Sequence, residues 1–256
     1  MATPLPAPRP ATARFEAPRR GGPNIEALLG VGITVDKAAG QTIVVEGDPR
    51  THVFRVLTGA VRLYKALADG RRQVIDFLVA GDCFGLIGPE HHACSVEAIV
   101  PSTLARHPRS NLETALRASP ALATRLLELA EAELERAHDQ MLLLGRKSAQ
   151  EKVAAFLTGF VRRRGGQCDG CVRIRLPMSR QDMADYLGLT IETVSRTLTR
   201  LRQDGHIVLA TRHELVLPSL ADLAALANGE PRGTSRDRVP SPGVEKQRCD
   251  PLRMKE

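Results

Sequence analysis

The stretch SRQDMADYLGLTIETVSRTLTRLR, Ser179 to Arg202, constrains the chain most, because its local signals fit two short helices joined by a tight turn. Ser179 stands three residues before Asp182, the spacing of a reciprocal cap in which a hydroxyl and an acid satisfy each other's backbone. Met183, Ala184 and Leu187 supply an apolar face, and Gly188 is placed to end the helix in the left-handed conformation that glycine adopts at little cost. Thr190 caps a second helix, whose Ile191, Val194, Leu198 and Leu201 recur at intervals of three and four and are predicted to face a core. Glu192, Ser195, Arg196, Thr199 and Arg200 fall on the remaining face. This is the pattern of a helix-turn-helix, in which the second helix enters a major groove. An ordinary amphipathic surface helix shares the spacing, so the residue types must decide.

Those types suit base reading. Arginine makes paired bonds to guanine O6 and N7, glutamate accepts from cytosine N4, and serine is small enough to lie against a base edge. LGLTIETVSRTLTRL resembles the recognition helix of the Crp/Fnr family of bacterial transcription regulators, and MSRQDMADYLGLTIETVSRTL is similar to its FixK-type and Fnr-type branches. The resemblance implies that Glu192, Ser195 and Arg196 read a two-fold site of the form TTGA, spacer, TCAA. It also implies low-oxygen or nitrogen-related gene control, RNA polymerase as a partner at the promoter, and activation as the usual outcome.

A net charge of +7 and a pI near 9.5 favour an anionic partner, and nucleic acid over a membrane surface, because no basic amphipathic helix with bulky aromatic anchors is present. Tryptophan is absent and aromatics make up 3%, which argues against single-strand binding on stacking platforms. No apolar run reaches the length of about 18 residues needed to span a bilayer, and Met1 to Pro23 lacks the apolar core of a secretory signal, so a cytoplasmic protein is expected. The five cysteines, at 83, 94, 168, 171 and 249, follow no disulfide framework, which suits a reducing compartment.

The rest of the chain reads as a scaffold for this stretch. Residues 1–24, rich in Pro, Ala and Arg, are expected to be a disordered arm. Residues 25–118 carry short β-rich runs separated by glycines, with Asp69-Gly70 as a hairpin turn, and predict an antiparallel barrel or sandwich. Gly47, Gly59, Gly70, Gly81 and Gly85 follow the order seen in the β-roll of cyclic-nucleotide-binding domains, the sensor half of the family. Family members that bind cyclic nucleotide use a Gly-Glu pair and a downstream Arg; here Leu86 follows Gly85 and no arginine lies between Gly85 and Glu97. Cyclic AMP is therefore not expected as a ligand. An Fnr-type iron-sulfur cluster is not expected either, since no cysteine precedes Cys83. Cys83, His91, His92 and Cys94 match no zinc spacing, and a cupin-like metalloenzyme using His91 and His92 would need a third ligand, for which only His107 offers itself. The protein is expected to be a regulator rather than an enzyme and to use no cofactor. An effector-gated form, sensing an unidentified ligand or haem, is the alternative to a form competent for DNA without any effector.

Residues 119–145 are predicted to form one long helix opened by Ser119-Pro120. Ala123, Leu127, Ala130, Leu134, Ala137, Met141 and Leu144 alternate steps of four and three, a heptad stripe about 32 Å long at 1.5 Å per residue. Leu122, Leu126 and Leu129 form a second strip that can pack on the roll, leaving the stripe from Leu127 to Leu144 for a second copy of the chain. Such a homodimer would hold two recognition helices one DNA turn, about 34 Å, apart. Residues 146–225 are predicted to be a winged helix-turn-helix: a helix from Ser148, a Cys168-Asp-Gly-Cys171 segment with both redox-motif and hairpin character, the strand VRIRL, the two helices, a wing around Thr211 to His213, and the helix ADLAALAN. Ser179, Arg180, Thr190, Arg200 and Arg212 are the candidate phosphate contacts on double-stranded DNA. Residues 226–256 read as a disordered tail. The fold expected is thus α+β: an N-terminal antiparallel β-roll like those that bind cyclic nucleotides, a long dimerisation helix, and a C-terminal winged helix-turn-helix.

Overall fold

The computed structural model describes residues 32–163, 171–211 and 213–230. The expected N-terminal arm, the turn containing Cys168, Arg212 and nearly all of the expected tail lie outside those residues.

Eight strands build the roll: β1 (Ile33–Lys37), β2 (Thr42–Val44), β3 (His52–Thr58), β4 (Ala60–Ala66), β5 (Arg72–Val79), β6 (Cys83–Phe84), β7 (Ser95–Ala98) and β8 (Ser102–Pro108). They pair antiparallel in two four-stranded sheets, in the orders β1-β8-β3-β6 and β2-β7-β4-β5. Alternating apolar residues from both sheets, including Phe54, Val56, Val61, Leu78, Phe84, Val96 and Leu104, meet in a buried core. The Asp69-Gly70 turn joins β4 to β5 as expected, with Gly70 at φ 84° and Leu67 N donating to Arg71 O at 2.7 Å. Gly59, at φ 84°, turns β3 into β4 so tightly that a Cβ there would lie 2.3 Å from Ser102 Oγ.

Helix α1 (Arg109–Ala118) leaves the roll, and Ser119 caps α2 (Pro120–Arg146), accepting from Leu122 N. Leu122 is buried, Leu126 and Leu129 are half-buried, and Leu127, Leu134 and Met141 are exposed by 60%, 58% and 62%. Ala123 and Ala137 are exposed and Ala130 is half-buried. Leu144 is half-buried and packs on one side against the core of the C-terminal half.

That half contains α3 (Ala149–Arg163), β9 (Val172–Arg175), α4 (Arg180–Leu187), α5 (Ile191–Gln203), β10 (Val208–Leu209), β11 (Glu214–Leu217) and α6 (Leu220–Ala227). A three-stranded sheet in the order β10-β11-β9 forms the wing. Its core runs without a break into the roll: Val74 and Phe77 of β5 belong to the same cluster as Phe156, Leu157, Met183, Leu187, Val194 and Leu201. Phe77, Phe156 and Tyr186 bring their rings within 5.4 to 6.0 Å of one another at this seam. Burial pushes the Tyr186 phenol up to about 12, so it stays neutral and the seam carries no phenolate.

Candidate nucleic-acid interface

The two helices are terminated as their residues dictate. Asp182 N donates to Ser179 Oγ and Ser179 N donates to Asp182 Oδ2, at 3.1 and 2.9 Å, completing the reciprocal cap. Gly188, at φ 61°, ends α4 in the left-handed conformation that favours glycine, and a Cβ there would lie 3.2 Å from Leu144 Cδ2, a tight contact with a flexible side-chain end. Lys152 is buried on α3 and donates from Nζ to Leu187 O at 3.1 Å, satisfying a carbonyl that the end of α4 leaves open. Thr190 caps α5, accepting from Thr193 N at 3.2 Å.

Helix α5 buries Val194, Thr197, Leu198 and Leu201 and turns Glu192, Arg196, Thr199 and Arg200 outward. Ile191, expected in the core, is 38% exposed instead: at the first helical position it lies at the end of the packed face, and the buried polar Thr197 fills the fourth place. Arg196 Nη2 donates to Thr193 Oγ1 at 3.4 Å, which holds the guanidinium along the helix with its other donors available. Glu192 is held below the usual carboxylate range, first by its own backbone N–H, then by the Thr190 hydroxyl, and also by the charge of Arg196. It therefore presents an acceptor at neutral pH. Ser195 is half-buried and accepts from Arg180 Nη1 at 3.2 Å, a link between the two helices with no local sequence signal. A serine hydroxyl keeps its own proton when it accepts, so Ser195 can still donate.

The residues flagged as phosphate contacts fall around this face. Ser179, Thr190 and Arg200 are exposed, Arg180 is half-buried, and Arg200 makes a loose ion pair with Asp204 at 4.0 Å. An open groove beside α5 is lined by Ser148, Ala149 and Gln150 together with Thr193, Arg196, Thr197 and Arg200. The groove brings the N-terminus of α3, capped by Ser148 with Glu151, up to the arginines of α5, and helix N-termini favour phosphate oxygens. Ser148 and Gln150 were not recognisable as site residues from the sequence, since the signal is the meeting of two separate helices.

The roll grips the first helix through charge. Asp182 Oδ1 accepts from Arg62 Nη1 at 2.5 Å and from Arg72 Nη2 at 2.9 Å, while Arg72 Nε also reaches Asp185 at 2.6 Å. Arg62 Nη2 meets Glu97 at 2.7 Å, and Arg163 on α3 meets Asp76 on β5 at 2.6 Å. Gln73 and Gln140 both donate to Tyr186 O, at 3.2 and 3.0 Å. The carboxylate that caps α4 is thus also the point at which the sheet holds it.

Other candidate chemistry is weaker. Among the described residues no group of three or more His, Cys, Asp or Glu side chains gathers to hold a metal; His91 is exposed while His92 is buried. Cys94 is a thiol outside any disulfide, and burial raises it above the usual thiol range. Cys171, entering β9, is disulfide-bonded, which fits the redox-motif character of its spacing. No helix among the described residues is long and apolar enough to cross a membrane.

Comparison with known proteins decides the family. The model of the cyclic nucleotide-binding domain matches residues 35–119, and that of bacterial regulatory proteins of the crp family matches residues 176–207. The nitrogen fixation regulation protein FixK of Bradyrhizobium diazoefficiens is 45% identical over 179 residues, covering 70% of this chain and 76% of the relative. The chain belongs to the Crp/Fnr family of bacterial transcription regulators. Two further Crp/Fnr relatives are FixK of Rhizobium meliloti, 41% identical over 74% of this chain and 84% of its own, and the transcriptional activator protein FnrL of Cereibacter sphaeroides, 37% identical over 76% and 80%. The solved structure of FixK2 from Bradyrhizobium japonicum superposes with a TM-score of 0.72 at 39% identity, covering 79% of this chain and 99% of the other. These Crp/Fnr relatives are transcription regulators, not enzymes. The β-roll joined to a helix-turn-helix is their shared architecture, and this chain is a DNA-binding regulator of that family.

Proposed function

We propose that the protein acts as a homodimer on a two-fold promoter site of the form TTGA, spacer, TCAA, and recruits RNA polymerase to genes of low-oxygen or nitrogen metabolism. The outward face of α5 carries the reading, with Glu192, Arg196, Thr199 and Arg200 exposed over a buried Val194, Leu198 and Leu201. Arg196 bonds the guanine of TTGA, Glu192 accepts from the paired cytosine, and Ser195, its oxygen already engaged by Arg180, donates its proton to a neighbouring thymine. Ser179, Arg180, Thr190, Arg200 and Arg212 contact phosphates, joined by the N-terminus of α3 across the groove. The exposed Leu127, Leu134 and Met141 of α2 supply the seam between two copies. The names of the relatives, nitrogen fixation regulators and a transcriptional activator among them, support the gene class.

The experiment is selection of duplexes from a random pool by purified protein, once in air and once under nitrogen. Enrichment of a TTGA/TCAA palindrome without added effector supports the reading. Recovery of unpaired half-sites, of unrelated sequences, or of nothing until small molecules from a cell extract are added overturns it.

A further inference from the structure

Helix α4 is held by β4, β5 and α2 of the N-terminal half, through contacts of two kinds. The seam where Phe77 of β5 meets Phe156 and Tyr186 is apolar and attracts without direction, so by itself it tolerates rotation. The polar contacts around it do not. Gln73 of β5 and Gln140 of α2 converge on the Tyr186 carbonyl. Arg72 of β5 spans one turn of α4, donating from Nη2 to Asp182 and from Nε to Asp185. Arg62 of β4 is itself fixed to the sheet, because Nη2 holds Glu97, its register partner on β7, while Nη1 takes Asp182. Asp182 cannot turn to follow either arginine, since its other oxygen accepts from Ser179 N and Oγ in the cap. None of the side chains of Arg62, Glu97, Asp182 and Asp185 is more than 15% exposed, so water competes little for these charge-assisted bonds. Helix α5 follows α4 through the Gly188 turn, the shared core of Met183, Leu187, Val194 and Leu201, and the Arg180–Ser195 hydrogen bond.

We propose that Arg62 and Arg72 are positioning residues for DNA specificity: by fixing the angle of α4 on the roll they set the separation of the two recognition helices, and with it the spacer length that the dimer accepts. This rests on the homodimer and the base reading proposed above. Half-sites such as TTGA and TCAA set one turn apart, about 10 base pairs centre to centre, leave a spacer of about six. Adding or removing one base pair moves a half-site by about 3.4 Å along the duplex and turns it by about 35° around the axis. A recognition helix steadied only by an apolar seam can follow such a change. One whose supporting helix is bonded at Asp182 and Asp185 to two strands of the roll cannot. Neither arginine lies on the outward face of α5, so discrimination at the guanine stays with Arg196.

Full-length wild type, Arg62→Met and Arg72→Gln are compared by fluorescence anisotropy at one salt concentration. The duplexes are the palindrome with its preferred spacer, the same palindrome with one base pair removed or added, a single TTGA half-site, and that half-site with its guanine replaced. The quantity read is the ratio of affinities between spacers, in which the loss of one positive charge from the protein cancels. Wild type favours the preferred spacer on the order of tenfold over either neighbour, since the mismatch must be absorbed by twisting the DNA. In both variants the ratio falls to about threefold or less, while binding to the single half-site and its guanine preference stay as in wild type. Affinities that fall by one common factor on every duplex, the mark of a merely weakened fold, overturn the proposal. So does a wild type that selects TTGA but is indifferent to spacer, which leaves the base reading intact. A wild type with no guanine preference on the single half-site overturns the base reading and the positioning role together. If Arg62→Met does not fold, Arg72→Gln, at the more exposed position, decides by the same ratio.

Discussion

Asp182 performs two tasks with one carboxylate, and replacing it separates them. Oδ2 serves the cap of α4 through Ser179, while Oδ1 binds Arg62 and Arg72 of the roll. The side chain is 6% exposed, so neither arginine can trade it fully for water. Breaking a buried ion pair by removing one partner costs about 3 to 5 kcal/mol. The lower end applies here, because Arg62 keeps Glu97 and Arg72 keeps Asp185. Loss of a helix cap adds about 1 kcal/mol. Asp182→Ala is therefore expected to cost about 4 kcal/mol in all, Asp182→Asn, which keeps a cap acceptor but no charge, about 3, and Ser179→Ala about 1. Urea unfolding followed by far-UV circular dichroism, with equal slopes required before the midpoints are compared, reads the series. If Asp182→Asn is no more harmful than Ser179→Ala, the charge clamp between roll and helix-turn-helix contributes nothing and the reasoning fails.

Gly188→Ala should lower stability by about 1 to 2 kcal/mol from the left-handed backbone alone, with Leu144 adding to the strain, and a melting curve checks it. Leu134→Glu, on the exposed stripe of α2, should leave the circular dichroism unchanged while sedimentation shows a monomer and affinity for the palindrome falls. Because Glu192 titrates below the usual glutamate range, it remains an acceptor as pH falls toward that range, and the preference for its cytosine should be the same at pH 8 and pH 5.5 in competition binding. A preference that fades over that interval would show that another group reads the base.

The elements legible in the sequence are those written in neighbouring residues. Ser179 with Asp182, Gly188, Thr190 and Asp69-Gly70 each act within a few residues, and each helix end or turn forms where its local chemistry places it. The face of α5 was legible from periodicity, except at Ile191, where periodicity carries no information about where packing stops. What joins the two halves was not legible. Arg62 and Arg72 look like ordinary polar positions on a hairpin until the fold sets them against Asp182 and Asp185, and the heptad spacing of Leu144 cannot show that the turn at Gly188 fills its far side.

Reading of a half-site by α5 through Arg196 is measured by competition binding with all four bases in turn at the guanine of TTGA. Wild type should favour guanine, and Arg196→Ala should lose about 1 to 3 kcal/mol on the guanine duplex and bind the four duplexes nearly alike. A variant that kept wild-type discrimination at that position would show that Arg196 does not read the guanine.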